Sequence, residues 1–192
     1  MFRSFATFSL TILSGLFLAN ISLAQSKDEI LAGKIRQSPK ASVFQTIGFT
    51  NVTINYSRPG VKGRQTWGHL VPYNKVWRAG ANEATIIAFS KDVIIGGKKL
   101  RAGSYSFFVI PSKDEWTVIF NKVADQWGAF EYNEVQDVFR IKVKPVSSPF
   151  HEWLSYEFSD MNIQPAGKKN SAVLNLLWEK LKLPVKIETE TK

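Results

Sequence analysis

A chain of 192 residues that is 44% hydrophobic and 21% charged has the composition of a globular protein with a full core, not of a disordered or fibrous one. The absence of cysteine excludes disulfide frameworks, thiolate metal sites and thiol nucleophiles, and two histidines, His69 and His151, are too few for an all-protein zinc site. The net charge of +9 is uneven: residues 30–82 carry eight basic residues and no acidic one, while the remainder is close to balanced.

Residues 1–24 have the pattern of a secretory signal. Arg3 supplies a charged start, residues 5–18 form an uncharged, mainly apolar run of fourteen, and Ser22 and Ala24 place small residues at a cleavage site. A fourteen-residue helix rises about 21 Å, short of the roughly 30 Å core of a bilayer. The expectation is export to the periplasm or beyond, with cleavage after Ala24 and no membrane span in what remains. Residues 25–37 then form a lead-in, extended or briefly helical, where Ser26 and Glu29 are spaced as a capping box. Residues 38–188 are expected to form a single domain, followed by a short tail at 189–192.

From residue 42 onward the punctuation is that of a β protein. Residues 42–47 and 52–56 read as a hairpin about Gly48. Strands follow at 85–89 and 93–95, and Gly96-Gly97 is a two-residue hairpin turn into 98–100. Further strands are expected at 104–110 and 116–121. Over 138–146, Arg140, Lys142 and Lys144 alternate with Phe139, Ile141 and Val143. Segments 151–158, 172–178 and 185–187 complete nine or ten strands. This pattern predicts an all-β fold, an antiparallel sandwich or a jelly-roll-like barrel. Phe107, Val109, Trp116, Ile119, Ile141 and Leu176 are expected in one inter-sheet core, which Trp116 and Ile119 can share only across a bulge. The connection 57–82 is too long for a turn, so it is either functional or holds a short helix.

The chain lacks a nucleophile elbow, an H-E-x-x-H helix, a phosphate-binding loop and a dinucleotide fingerprint. Its informative segment is Ser57-Arg58-Pro59-Gly60-Val61-Lys62-Gly63-Arg64, followed by Trp67-Gly68-His69-Leu70-Val71-Pro72-Tyr73 and by the run from Lys75 through Trp77-Arg78 to Glu83-Ala84-Thr85. With Lys99-Leu100-Arg101-Ala102-Gly103-Ser104-Tyr105, Glu115-Trp116-Thr117-Val118, Gln126-Trp127-Gly128 and Trp178-Glu179-Lys180, this segment resembles the family known as domain of unknown function 2911. The resemblance covers residues 38–188. It implies an exported single-domain β protein, assigns no activity and supplies no catalytic residues. Arg101 departs from a proline in the family pattern, at a turn.

The chemistry therefore has to come from the residues. Arg58, Arg64 and Arg78, with Lys62, are suited to carboxylate or phosphate, arginine bidentately. Gly60 and Gly63 flank Lys62, so backbone N–H groups there are free to approach an anion. Trp67 and Trp77 offer flat apolar faces, and Glu83 a carboxylate. The first reading is a binding or structural module for an anionic small molecule or glycan, with these seven residues as the ligand site. The second is a hydrolase or lyase using Glu83 as base and His69 as acid, and the third is a protein-binding domain. In a purely structural reading the arginines pair with Glu83 and the tryptophans plug the core. Asn121 and Gln126-Trp127-Gly128 form a second polar-aromatic loop, expected at the same mouth. No metal or cofactor is implied, and export argues against nucleic acid as a partner.

Overall fold

Ten strands and one 3-10 turn make up the regular structure of residues 36–189, the part of the chain that the computed structural model describes. The expected export signal, nearly all of the lead-in and the last three residues lie outside the described residues.

The strands are β1 (Lys40–Ile47), β2 (Thr50–Ser57), β3 (Thr85–Phe89), β4 (Val93–Ile95), β5 (Lys98–Leu100), β6 (Gly103–Ile110), β7 (Trp116–Asn121), β8 (Asp137–Val143), β9 (Val146–Asn162) and β10 (Asn170–Thr189). They form a six-stranded sheet, β1-β2-β3-β6-β7-β8, and a four-stranded sheet, β5-β4-β10-β9, with every pairing antiparallel. Neither sheet closes, so the architecture is the sandwich and not the barrel.

Alternation explains the packing. In β2, Val52, Ile54 and Tyr56 turn inward while Asn51 and Asn55 turn to solvent. Inward residues of both sheets, among them Phe107, Val109, Trp116, Phe120, Leu174, Leu176 and Ile187, form one continuous core. Four of the six expected core residues lie fully within it, and Ile141 packs against it partly buried. Ile119 does not. No bulge separates it from Trp116, so the period of two sends it to the outer face, where it joins Phe108 and Ala84 in a second small cluster.

Two further expectations change. The segments 172–178 and 185–187 belong to one strand, β10, whose pairing with β9 slips between Leu177 and Glu179 and again between Glu179 and Leu181. Before the slip the core-facing residues are Leu174, Leu176 and Trp178; after it they are Leu181, Leu183, Val185 and Ile187. The alternation changes phase at Glu179, whose backbone is left-handed (φ 55°), and the residues added at these slips lie in β9, where Ser155 to His151 faces only Leu177 to Glu179. The long connection 58–84 contains no helix. Isolated bridges hold it in place, Gly60 to Trp153, Trp67 to Val71 and Trp77 to Val109.

Candidate functional site

Residues 59–61 lie along β9 like a short extra strand. Leu154 N donates to Pro59 O at 3.0 Å, and Val61 N donates to Glu152 O at 2.8 Å. Arg58 reinforces this seam by donating its Nε to Leu154 O at 2.9 Å. Lys62 has a left-handed backbone (φ 48°) between its two glycines, and its N–H donates to Glu152 Oε1 at 2.9 Å. The anion expected at this glycine-flanked turn is therefore the chain's own Glu152 carboxylate. The Lys62 ammonium donates to Gln37 Oε1 at 3.1 Å and sits 5.8 Å from the Trp153 ring centroid. Arg58 and Lys62 fasten the loop to the sheet.

Beyond this seam the loop walls a cleft of about 380 Å³, lined by Val61, Gly63, Arg64, Gln65, Thr66, Trp67, Phe150 and Glu179. Arg64 donates Nε to Val61 O at 3.1 Å and Nη2 to Gly60 O at 2.6 Å, which orients the guanidinium and leaves Nη1 without a partner among the described residues. Glu179 enters from β10, where its register with β9 shifts, with φ 55°, a backbone conformation that costs a side-chain-bearing residue about 1–2 kcal/mol. Its carboxylate has no hydrogen bond or ion pair within the described residues. Trp67 stands against three other indoles, 4.6 Å from Trp116 and 5.7 Å from both Trp77 and Trp178. Thr66 is only 2% exposed, and neither its hydroxyl nor the buried Trp67 Nε1–H has a hydrogen-bond partner among the described residues.

The other expected site residues lie elsewhere. Trp77 is a core residue: it is 8% exposed, stacks on Trp178 at 5.8 Å and donates Nε1 to Gly80 O. Arg78 is half-buried, with Nη1 donating to Asn82 O at 2.9 Å and the guanidinium 5.7 Å from the Phe130 ring. Burial pulls its pKa below the ordinary arginine value. A Cβ at Gly128 (φ 66°) would lie 2.4 Å from Arg78 Nη1, so the Gln126-Trp127-Gly128 segment covers this arginine and forms no part of the tryptophan-walled cleft. Glu83 accepts from Ser57 Oγ at 3.5 Å and meets Lys40 Nζ at 3.5 Å. With Asp125, Ser42, Asn55 and Ile86 it lines a separate cleft of about 510 Å³ along the outer face of β1, β2 and β3. His69 is exposed on a turn and lines neither cleft; it shares no hydrogen bond with Glu83.

Of the seven expected ligand residues, then, Arg64 and Trp67 meet in one cleft and Glu83 lines another. Thr66, Phe150 and Glu179 were missed. The sequence signals for Glu179 were its place in the Trp178-Glu179-Lys180 match and the change of phase in the apolar pattern between Trp178 and Leu181.

A third cluster lies on the six-stranded sheet. Asp137 accepts from Tyr132 Oη at 2.6 Å, Arg140 Nε at 2.7 Å and Asn121 Nδ2 at 2.8 Å, while Arg140 Nη2 reaches both Tyr132 Oη and Glu134. Desolvation, followed by the Asp137 carboxylate, raises the Tyr132 hydroxyl above its ordinary pKa; the hydrogen bond to Asp137 raises that of Arg140. Among the described residues no three histidines or carboxylates gather as metal ligands, and no helix is long and apolar enough to cross a membrane.

A family model described as protein of unknown function (DUF2911) matches residues 38–187. No curated protein and no solved structure matches the chain.

Proposed function

The chain belongs to this family, and we propose that it is an exported binding module that holds an anionic small molecule or a glycan unit in the cleft walled by Arg64, Thr66, Trp67 and Glu179. The single observation that carries this reading is the unspent charge in one aromatic-walled cleft: Arg64 keeps a spare donor and Glu179 a carboxylate, neither with a partner among the described residues, beside Trp67. Thr66 Oγ1 and Trp67 Nε1, buried in the same wall, also lack partners, a state that costs about 1–3 kcal/mol. Aromatic walls with a few convergent polar groups are the general character of a small-molecule site. Arg58 and Lys62 serve the site by fixing the loop, and Trp77 by backing Trp67. The signal-like residues 1–24 support export.

A thermal-shift panel of monosaccharides, sugar acids and small carboxylates tests the reading. At a ligand concentration of about 100 Kd, binding to the native state adds about 2.7 kcal/mol. For a domain of this size that raises Tm by roughly 5–10 °C. Arg64→Ala is expected to abolish the shift, and a panel in which no compound moves Tm would overturn the proposal.

A further inference from the structure

Arg64 and Glu179 line the same cleft and form no ion pair with each other. Both are held in place without the other's help. Two carbonyls orient the guanidinium, and Glu179 is set in the cleft wall by a left-handed backbone at the register shift between β10 and β9. This stands in contrast to Asp137 and Arg140, which meet directly at 2.7 Å. A simple anion in the cleft would gain Arg64 but face Glu179, and a simple cation would meet the reverse difficulty. At about 380 Å³ the cleft is near the lower bound of small-molecule sites, roughly 300–1,000 Å³, so a ligand in it meets both charges together.

We infer that the cleft selects a zwitterion, a compact ligand with a carboxylate for Arg64 and an ammonium for Glu179, of which an amino-sugar acid is the form that also uses the aromatic wall. This inference rests on the binding reading above and narrows its ligand class. Trp67 supplies the aromatic wall, and Phe150 offers an exposed apolar face at the rim.

Four sugars of related shape separate the terms: glucose, glucuronic acid, glucosamine and muramic acid, titrated calorimetrically into the whole protein at fixed ionic strength. Muramic acid is expected to bind about tenfold tighter than glucuronic acid or glucosamine, the effect of one added hydrogen bond to a charged group. Glu179→Gln should bring muramic acid down to the level of glucuronic acid and leave glucuronic acid unchanged or tighter. If glucuronic acid matches muramic acid and Glu179→Gln alters neither, the zwitterion inference fails and the binding reading stands. If Glu179→Gln weakens all four equally, Glu179 acts only on the shape of the cleft and the inference fails. If none of the four binds, this inference falls, while the thermal-shift panel still decides the broader reading.

Discussion

Two groupings in this molecule use the same ingredients, an arginine, a carboxylate and an aromatic ring, to opposite effect. Around Asp137 the parts satisfy one another: three donors converge on one carboxylate, and Nη2 of the arginine bonds Tyr132 and Glu134. Around Glu179 the parts share a cleft without meeting, and two buried polar atoms next to them lack partners. A network closed around its carboxylate adds to the stability of the fold and leaves that carboxylate little to offer a ligand. An open one contributes little to the fold and keeps its hydrogen bonds for whatever enters. Residue type alone does not separate a site from a strut. Unspent bonding capacity does.

The contrast can be broken most severely through the indole cluster behind the cleft. Trp178 is fully buried against Trp67 and Trp77, so Trp178→Ala is expected to cost about 3–5 kcal/mol and to lower Tm by roughly 10 °C, read by a circular dichroism melt. A smaller loss would mean that the loop collapses to fill the space.

Next comes the closed network. Asp137→Ala strands three donors and should cost about 1–3 kcal/mol in urea unfolding. Glu179→Gln, which strands none, should stay within about 0.5 kcal/mol of the parent. Equal losses for the two would erase the distinction drawn between the groupings.

Glu179→Gly sharpens it further. Glycine carries no penalty at φ 55°, so this variant should gain up to about 1 kcal/mol in stability while losing ligand affinity. A loss of stability would show that the glutamate has a structural duty.

The smallest effect lies outside both groupings and serves as a control. The Ala102 N–H, then Lys99, hold Asp92 below the ordinary carboxylate pKa. A depressed folded-state pKa means that the stabilisation is complete above the unfolded value, about 3.9, and fades as pH falls through the folded one. Asp92→Asn should therefore lower Tm slightly at pH 6 and have a diminishing effect below about pH 4. It should leave ligand binding untouched.

How legible all this was in the sequence depends on range. The hairpins about Gly48 and Gly96-Gly97, and the strands at 85–89 and 116–121, are local matters of alternation and turn chemistry, and they stand where the pattern put them. The sandwich follows from their number and spacing. The cleft was less legible because its walls are distant along the chain: Thr66, Phe150 and Glu179 come together only through the pairing of residues 59–61 with β9 and of β9 with β10. The arginines misled for a related reason. Three of them crowd one loop, but each guanidinium was claimed by a different backbone carbonyl, at Leu154, at Gly60 and Val61, and at Asn82. Sequence spacing carries no record of which carbonyl lies within reach. Ile119 was misplaced where the rule of alternation already pointed outward.

The change of phase in β10 has an evolutionary consequence. Removing one residue at position 179 would set Trp178 and Leu181 two places apart, so that Leu174, Leu176, Trp178, Leu181, Leu183, Val185 and Ile187 would all face the interior of one regular pleat. Alternation therefore closes neither substitution nor deletion there. A lineage that ceased to need the ligand would be free to lose the glutamate and its extra position together. Relatives whose two apolar runs follow each other without the one-residue offset should be the ones that lack the acid in the cleft.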